Sequence, residues 1–317
     1  MARRLATLPR GVDLQASLER FRRHGDDLMD RWDGACFRRP VRLSPTRVAA
    51  VWLWPADGAG EQVQFAWAGD LAPAELSPRV AAMILDARPE LARLAERDPV
   101  IWRLHRLYPG LLPVLHLDPL AALIGFVSAQ QVNLAFACSV RREVLLRFGQ
   151  RLELGEDFVM VPDAERLARA AVDQLAGLRL TRAKARCLVA LAQATVLGEL
   201  EPAVLGELED AEVERRLTAL PGVGPWTARQ FLGRVLGRPV LVAGDLGVRR
   251  AIRVAYGLAQ DPSIAEVEAL TAHYGGAALA AQQVLLYHLT QVPAGAGVGS
   301  VSSPAWPAPE DPAAPAS

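Results

Sequence analysis

The segment Leu220-Pro-Gly-Val-Gly-Pro-Trp-Thr-Ala228, followed by Gly244-Asp245-Leu-Gly-Val-Arg-Arg250, carries the most structural information in the chain. Pro221 to Gly224 read as a turn between two helices. The first helix ends at Leu220, and Pro225 takes the first position of the second, where a missing N–H costs nothing. Ala228, Phe231, Leu232 and Val235 line the apolar face of that second helix, and Gly237 ends it. Gly222 and Gly224 permit positive φ and leave bare backbone exposed. At such a turn the N–H groups of Gly222, Val223, Gly224 and Thr227, beside a helix N-terminus, are placed to cradle a phosphate without reading sequence. The same residues also fit an ordinary αα-hairpin whose glycines only reverse the chain.

The charge pattern around the turn favours the phosphate reading. Lys+Arg and Asp+Glu both number 35, so the chain is neutral overall with a pI near 7.0. Between Leu220 and Arg253, however, lie six arginines (229, 234, 238, 249, 250, 253) and one acid, Asp245. From Val254 onward there is no arginine or lysine, and five acids occur. A phosphate-facing surface is the expectation, with Arg249 and Arg250 on the helix that Asp245 opens. An Asp at that place is a natural helix N-cap. The same position suits a fixed negative charge facing a developing cation, and one side chain can serve both ends.

At 317 residues, 51% hydrophobic and 22% charged, the chain has material for two globular domains, or three small ones, at roughly 150 residues each. Val41–Trp54 and Gln62–Trp67, rich in Val, Trp and Phe, predict antiparallel strands about the turn-forming Pro55-Ala-Asp-Gly-Ala-Gly60, with helical segments near 13–24 and 76–105. From 118 onward the pattern is helical almost throughout. Asp118-Pro119 starts a helix with Leu120, Leu123, Ile124 and Val127 on one face. Further helices are predicted from Asn133 to Phe148, Asp163 to Gly177, Thr181 to Gly198, and from Asp210. This divides the chain into an N-terminal domain (1–115), a helical domain (116–292) and a Pro/Ala/Gly/Ser-rich tail (293–317) expected to be disordered. No solenoid repeat is present.

Cys36, Cys138 and Cys187 are too few and too scattered for a disulfide framework, a zinc site or an iron–sulfur cluster, which points to a reducing, intracellular setting and no bound metal. The Arg-rich N-terminus lacks the apolar run of a secretory signal. Residues 119–140 are uncharged and long enough to raise the membrane question. Ser128, Gln130, Gln131 and Asn133 in their middle would be costly in lipid, so a buried helix interrupted by a polar site is expected instead.

Taken with these neighbours, Leu220–Ala228 and Asp245 resemble the helix-hairpin-helix plus Gly/Pro…Asp signature of the helix-hairpin-helix (HhH-GPD) DNA glycosylase superfamily. Asp118-Pro-Leu-Ala-Ala-Leu-Ile-Gly-Phe-Val-Ser-Ala-Gln-Gln-Val132 is similar to the helix leading into that family's base-flipping wedge, and Leu180-Thr-Arg-Ala-Lys-Ala-Arg186 to its Lys-Ala helix. The strand-rich first segment resembles the extra domain of the DNA-3-methyladenine glycosylase II branch. The implied fold is α+β: a small N-terminal antiparallel-sheet/helix domain, then an all-α helix-hairpin-helix glycosylase core of two helical subdomains.

The resemblance further implies a cytoplasmic monomer, nucleoid-associated in a bacterium, that grips double-stranded DNA containing damaged bases and extrudes one nucleotide. Gln131 would fill the gap and Gln130 brace the turn, although amides at a helix end are also commonly just solvated. Trp226 would offer its face to an electron-poor base, or else pack in the core. Tyr274 and Tyr287 are pocket candidates with the same alternative. Asp245 would stabilise oxocarbenium character at C1′ and help direct water. No cofactor is implied beyond a monovalent cation bridging hairpin carbonyls and a DNA phosphate.

Where lyase-active members carry a nucleophilic lysine, this chain has Pro225-Trp226, and its sole lysine is Lys184. Hydrolysis without strand cleavage is therefore expected. In place of the branch's Trp-x-Pro-x-Arg stand His273-Tyr-Gly-Gly-Ala277 and Ala280-Ala-Gln-Gln-Val-Leu-Leu-Tyr287. Excision of alkylated, 3-methyladenine-like bases is the leading expectation. A glycosylase for oxidised or deaminated bases and a non-catalytic hairpin-based DNA-binding module are the alternatives.

Overall fold

The computed structural model describes residues 3–22, 24–56 and 61–292. Most of the turn expected at 55–60, and the whole tail from 293, lie outside the described residues. Five antiparallel strands, β1 (Arg4–Thr7), β2 (Arg31–Trp32), β3 (Phe37–Arg42), β4 (Val48–Pro55) and β5 (Gln62–Gly69), form one sheet in the order β1-β5-β4-β3-β2. The stretch Val41–Trp54, expected as one strand, is split between β3 and β4. Leu43 N–H closes a tight turn on the Arg47 carbonyl at 3.0 Å, and Pro45 within it has no N–H for a ladder. Val51 sits opposite both Arg39 and Trp67, at the centre of the sheet.

One sheet face packs Phe37, Val41, Val51 and Phe65 onto Leu76 and Val80 of α2 (Pro73–Ala82). Before the sheet, α1 (Leu14–Leu18) is capped by Asp13 and runs into a 3₁₀ turn, Glu19–Phe21. The helical stretch expected at 76–105 resolves into α2, α3 (Arg88–Ala95) and α4 (Pro99–Leu107), each started by a proline in its first turn.

The central element is α5 (Pro119–Ala129). Asp118 caps it by accepting from Leu120 N and Ala121 N at 2.9 and 3.1 Å, and almost every side chain on it is buried. The same carboxylate takes Arg42 Nε at 3.0 Å, and both side chains are buried. Arg42 also donates to the carbonyls of Pro45 and Pro162, so a single guanidinium ties the sheet to the start of α5. Among the described residues no helix is long and apolar enough to cross a membrane.

After α6 (Leu134–Phe148) the chain departs from the all-helical expectation. Residues 149–162 form a hairpin, β6 (Gly149–Leu154) and β7 (Asp157–Pro162), turning at Gly155 with φ +63°. Leu152, Val159 and Val161 are buried against Val48, Ala50 and Trp52, closing the second face of the sheet. The helix expected from Asp163 to Gly177 is two short ones, α7 (Ala164–Ala168) and α8 (Val172–Ala176). Then follow α9 (Arg182–Val196), α10 (Pro202–Leu205), α11 (Asp210–Thr218), α12 (Pro225–Arg234), α13 (Leu246–Tyr256), α14 (Ile264–Thr271), a 3₁₀ turn (Ala272–Ala277) and α15 (Ala278–Gln291).

Two cores hold the helices. Leu123, Ile124 and Val127 of α5 pack with Leu188 and Leu191 of α9 and Phe231 of α12. Leu94, Ile101 and Leu104 of α3 and α4 pack with Ile252 of α13 and Val284 and Leu285 of α15. The second core thus spans the domain boundary expected near 115. The cleft between the two cores, facing the sheet domain, is where the candidate residues converge.

Candidate active site

Local chain geometry builds the site in three pieces. The first is the hairpin between α11 and α12. Gly222 adopts φ +78°, and a Cβ there would lie 2.9 Å from the Cys187 Cβ on α9, so the turn is seated directly on that helix. Gly224 is different: it is the extended N-cap of α12, with open space around it, and does not use positive φ. Val223 is buried and its N–H donates to Leu220 O at 3.2 Å, which removes it as a free backbone donor. Thr227, expected at the phosphate-facing surface, turns its buried hydroxyl inward to accept from Gln130 Nε2 at 3.0 Å.

The second piece is the turn after α5. Gln131 is exposed and left-handed, φ +57°, a conformation unusual for a residue with a Cβ. The turn is clamped from both sides. Gln130 Nε2 reaches the Gly222 carbonyl at 3.2 Å, and Lys184 Nζ donates to the carbonyls of Gln130 and Ser128 at 2.7 and 3.2 Å. The one lysine of the chain therefore holds the C-terminal end of α5, and burial lowers its pKa. Val132, Leu134 and Phe136 stand partly exposed beside Gln131.

The third piece is Asp245. Its Oδ1 caps α13 by accepting from Val248 N at 3.1 Å. Its Oδ2 accepts from Trp226 Nε1 at 3.0 Å and Gln230 Nε2 at 3.3 Å, both on α12. A Cβ on residue 247 would lie 3.0 Å from Oδ1, so the glycine there leaves room for the carboxylate. Gln282 Oε1 accepts from Val242 N at 2.7 Å, fixing the segment that leads into Asp245.

All three pieces line one cavity of about 1460 Å³, larger than the range usual for small-molecule sites. Gln130, Gln131, Trp226, Asp245, Arg250 and Tyr287 border it. A row of rings follows one side: Trp226 to Phe126 (centroids 6.5 Å), Phe126 to His116 (5.7 Å) and His116 to Phe21 (6.1 Å), each close to edge-to-face. Behind the row, Asp30 meets Arg39 at 3.1 Å and His116 Nδ1 at 3.2 Å. Burial pushes the His116 imidazole down to about 4 despite its carboxylate partner. Burial works against Asp30 as well, yet Arg39 and His116 hold its carboxyl at about 2.

Several expectations are corrected here. Tyr274 is buried in the α3–α4–α13–α15 core, with its hydroxyl 2.5 Å from that of Tyr256, and does not border the cavity. Arg249 donates to the Pro262 carbonyl at 2.5 Å and also lies off the cavity. The excess of arginines is largely absorbed internally. Arg229 faces Glu214 and Glu268, Arg238 faces Asp210, Arg253 faces Asp261, and Arg234 is buried with Nη1 on Gln283 Oε1 at 2.7 Å. Arg250 is the exposed member that borders the cleft. The sequence reading missed Arg20, Phe21, His116, Phe126, Gln230 and Arg234. Phe126 and Gln230 lay within helices already assigned, one turn from a residue singled out, so helical spacing could have found them. Those from the sheet domain had no local signal.

Chemically, the arrangement presents a hydrogen-bonded carboxylate beside an aromatic wall, on the lining of a cavity with ample room for a nucleotide. Among the described residues no group of three or more His, Cys, Asp or Glu could hold a metal.

Comparison with known proteins adds the context. Residues 124–274 match the profile of the HhH-GPD superfamily base excision DNA repair protein. The chain is 30% identical over 176 residues to the DNA-3-methyladenine glycosylase of Bacillus subtilis (strain 168), covering 55% of this chain and 58% of that protein. It is 30% identical over 129 residues to DNA-3-methyladenine glycosylase 2 of Escherichia coli (strain K12), covering 41% and 45%. It thus spans about half the length of these curated relatives. In fold it is similar to the 3-methyladenine DNA-glycosylase from Archaeoglobus fulgidus, with a TM-score of 0.75 and 24% identity over 90% of this chain and 96% of that one.

Proposed function

We propose, from the similarity of residues 124–274 to the HhH-GPD superfamily of base excision DNA repair proteins, that the chain is a member of that superfamily and a monofunctional DNA glycosylase releasing alkylated, 3-methyladenine-like bases from duplex DNA. The observation that carries the proposal is the Asp245 carboxylate, fixed by Trp226, Gln230 and the N-terminus of α13 on the wall of the cavity. A carboxylate held this way needs no reorganisation as positive charge grows at C1′ of an extruded sugar. The developing cation is stabilised, the base departs with the bonding pair of the C1′–N bond, and water adds at C1′, giving up its proton. An alkylated purine is already a good leaving group, so little further acid catalysis is demanded.

The surrounding pieces fit the extrusion step. Gln131, held left-handed on a clamped turn and flanked by Val132 and Leu134, would enter the duplex and occupy the place of the departed nucleotide. Unstacking costs a few kcal/mol, least at a damaged pair. The edge-to-face rings would receive the base. Arg250 and the backbone at Gly222 and Gly224 would meet the phosphates. The turn carbonyls of Leu220 and Gly222 each accept one hydrogen bond and keep one lone pair, so they fit a monovalent cation, which would supply charge neutralisation toward a phosphate.

Asp245→Asn is expected to slow base release from methylated DNA by about 100-fold or more while largely preserving affinity for abasic-site duplex. Retained turnover with lost binding would defeat the proposal. A wild-type protein that binds duplex yet releases no base from any lesion would instead be a hairpin-based binding module. With Lys184 engaged at the end of α5, borohydride should trap no covalent adduct with DNA; a trapped adduct would require an amine nucleophile.

A further inference from the structure

One guanidinium on the cavity wall makes no hydrogen bond among the described residues. Arg20, in the 3₁₀ turn of the sheet domain, borders the same cavity as Asp245. Its Nη1 is buried with no hydrogen-bond partner, and among the described residues none of its other nitrogens donates to a side chain or a carbonyl. The buried arginines Arg39 and Arg234 each leave Nε unpartnered, but unlike Arg20 they hydrogen-bond through other nitrogens, Arg39 on Leu115 O and Asp30 and Arg234 on Gln283, as Arg42 does on Asp118. A guanidinium carries five donors, and burying even the Nη1 pair without an acceptor is costly. The cavity that Arg20 borders is a place from which an acceptor can come.

The surroundings define that acceptor. Arg20 lies over the Phe21 ring at 5.1 Å, at the end of the aromatic row remote from Trp226. This is a place for the edge of a flat heterocycle; the exposed Arg250 is the better placed for phosphate. The nearest acid, Asp30, is already committed to Arg39 and His116. Arg234 is close enough that the two guanidiniums repel, and both feel Asp245. Burial lowers the Arg20 pKa, but only to about 10, so it stays charged at neutral pH. A cationic base entering this end of the cavity meets like charge. A neutral base with a carbonyl oxygen or unprotonated ring nitrogen meets unused donors.

We propose that Arg20 is a specificity-determining residue, donating to an acceptor on the edge of the extruded base and so extending release to uncharged, acceptor-bearing purines beside the alkylated ones. This rests on the glycosylase assignment and deepens it by ranking the substrates of that site. The test is single-turnover base release from duplexes carrying hypoxanthine, which is neutral with a carbonyl, or 7-methylguanine, which is cationic. In Arg20→Met the ratio of hypoxanthine to 7-methylguanine release should fall by about tenfold or more. Arg20→Lys, which keeps charge but loses donors, should fall between. Should the Met variant not fold, Arg20→Gln is scored the same way. An unchanged ratio overturns the proposal. So does a parallel loss of both rates, whether with weakened binding of abasic duplex (a phosphate contact) or with lowered Tm (a structural role). Release of 7-methylguanine or 3-methyladenine without hypoxanthine overturns this inference alone, whereas a wild-type protein that releases none of the three overturns the glycosylase assignment and this inference with it.

Discussion

Asp245 was legible in the sequence because it is the one acid among six arginines, but its partners were not. The fold gives Trp226 a second task besides its ring: the indole N–H restrains the carboxylate. A charge-assisted hydrogen bond of this kind is worth about 1.5–3 kcal/mol. Trp226→Phe, which keeps an aromatic face and removes the N–H, should therefore reduce the single-turnover rate by about 10- to 100-fold with little change in affinity for abasic duplex. Loss of binding without loss of rate would make the indole a packing residue. Tyr274 shows the opposite case. Its place near the last helix suggested the cavity, but the helix start follows a backbone kink at Gly275, and Tyr274 meets Tyr256, whose hydroxyl donates to Asp98.

Element by element, the helices were readable where a cap announced them. Asp118, Asn133, Asp163, Thr181 and Asp245 each accept from a backbone N–H of the helix they start. The β6–β7 hairpin was missed because its apolar residues follow directly on a helix, with no proline or glycine pair to separate them beyond Gly149. The hairpin turn at 221–224 was recognised, but its two glycines proved unequal. Gly222→Ala forces a Cβ both into a left-handed backbone and to within 2.9 Å of Cys187. It should cost about 1–3 kcal/mol in urea-unfolding stability and weaken duplex binding. Gly224→Ala meets nothing within 4 Å and should do distinctly less. Lys184→Met should leave the fold in place while loosening the Gln131 turn, visible as slower extrusion by a fluorescent base analogue beside the lesion.

Across the whole molecule, the least legible feature was the contribution of the first domain. Arg20, Phe21, Asp30 and Arg39 lie far from the hairpin in sequence, and only tertiary packing brings them to His116 and Phe126. Their buried charges set an acid limit. The unfolded chain binds a proton at His116 near pH 6.5, whereas the folded chain resists until about 4, so stability falls as pH drops through that window, by about 2–3 kcal/mol. Asp30, held at about 2 against about 3.9 unfolded, adds its loss only below pH 4. Urea midpoints measured from pH 7 to 4 should decline, and His116→Gln should flatten the decline; an unchanged slope would place the proton elsewhere.

The cavity wall is shared: Asp245 and Trp226 come from the helical core, and Arg20 and Phe21 at the far end of the aromatic row from the sheet domain. On the proposed reading, discrimination and bond-breaking therefore come from separate stretches of the chain. Recombination that replaced the leading segment with a relative's, provided that the Arg42–Asp118 fastening were kept, would re-tool what the cleft accepts in one step and hand the unchanged catalyst a new diet.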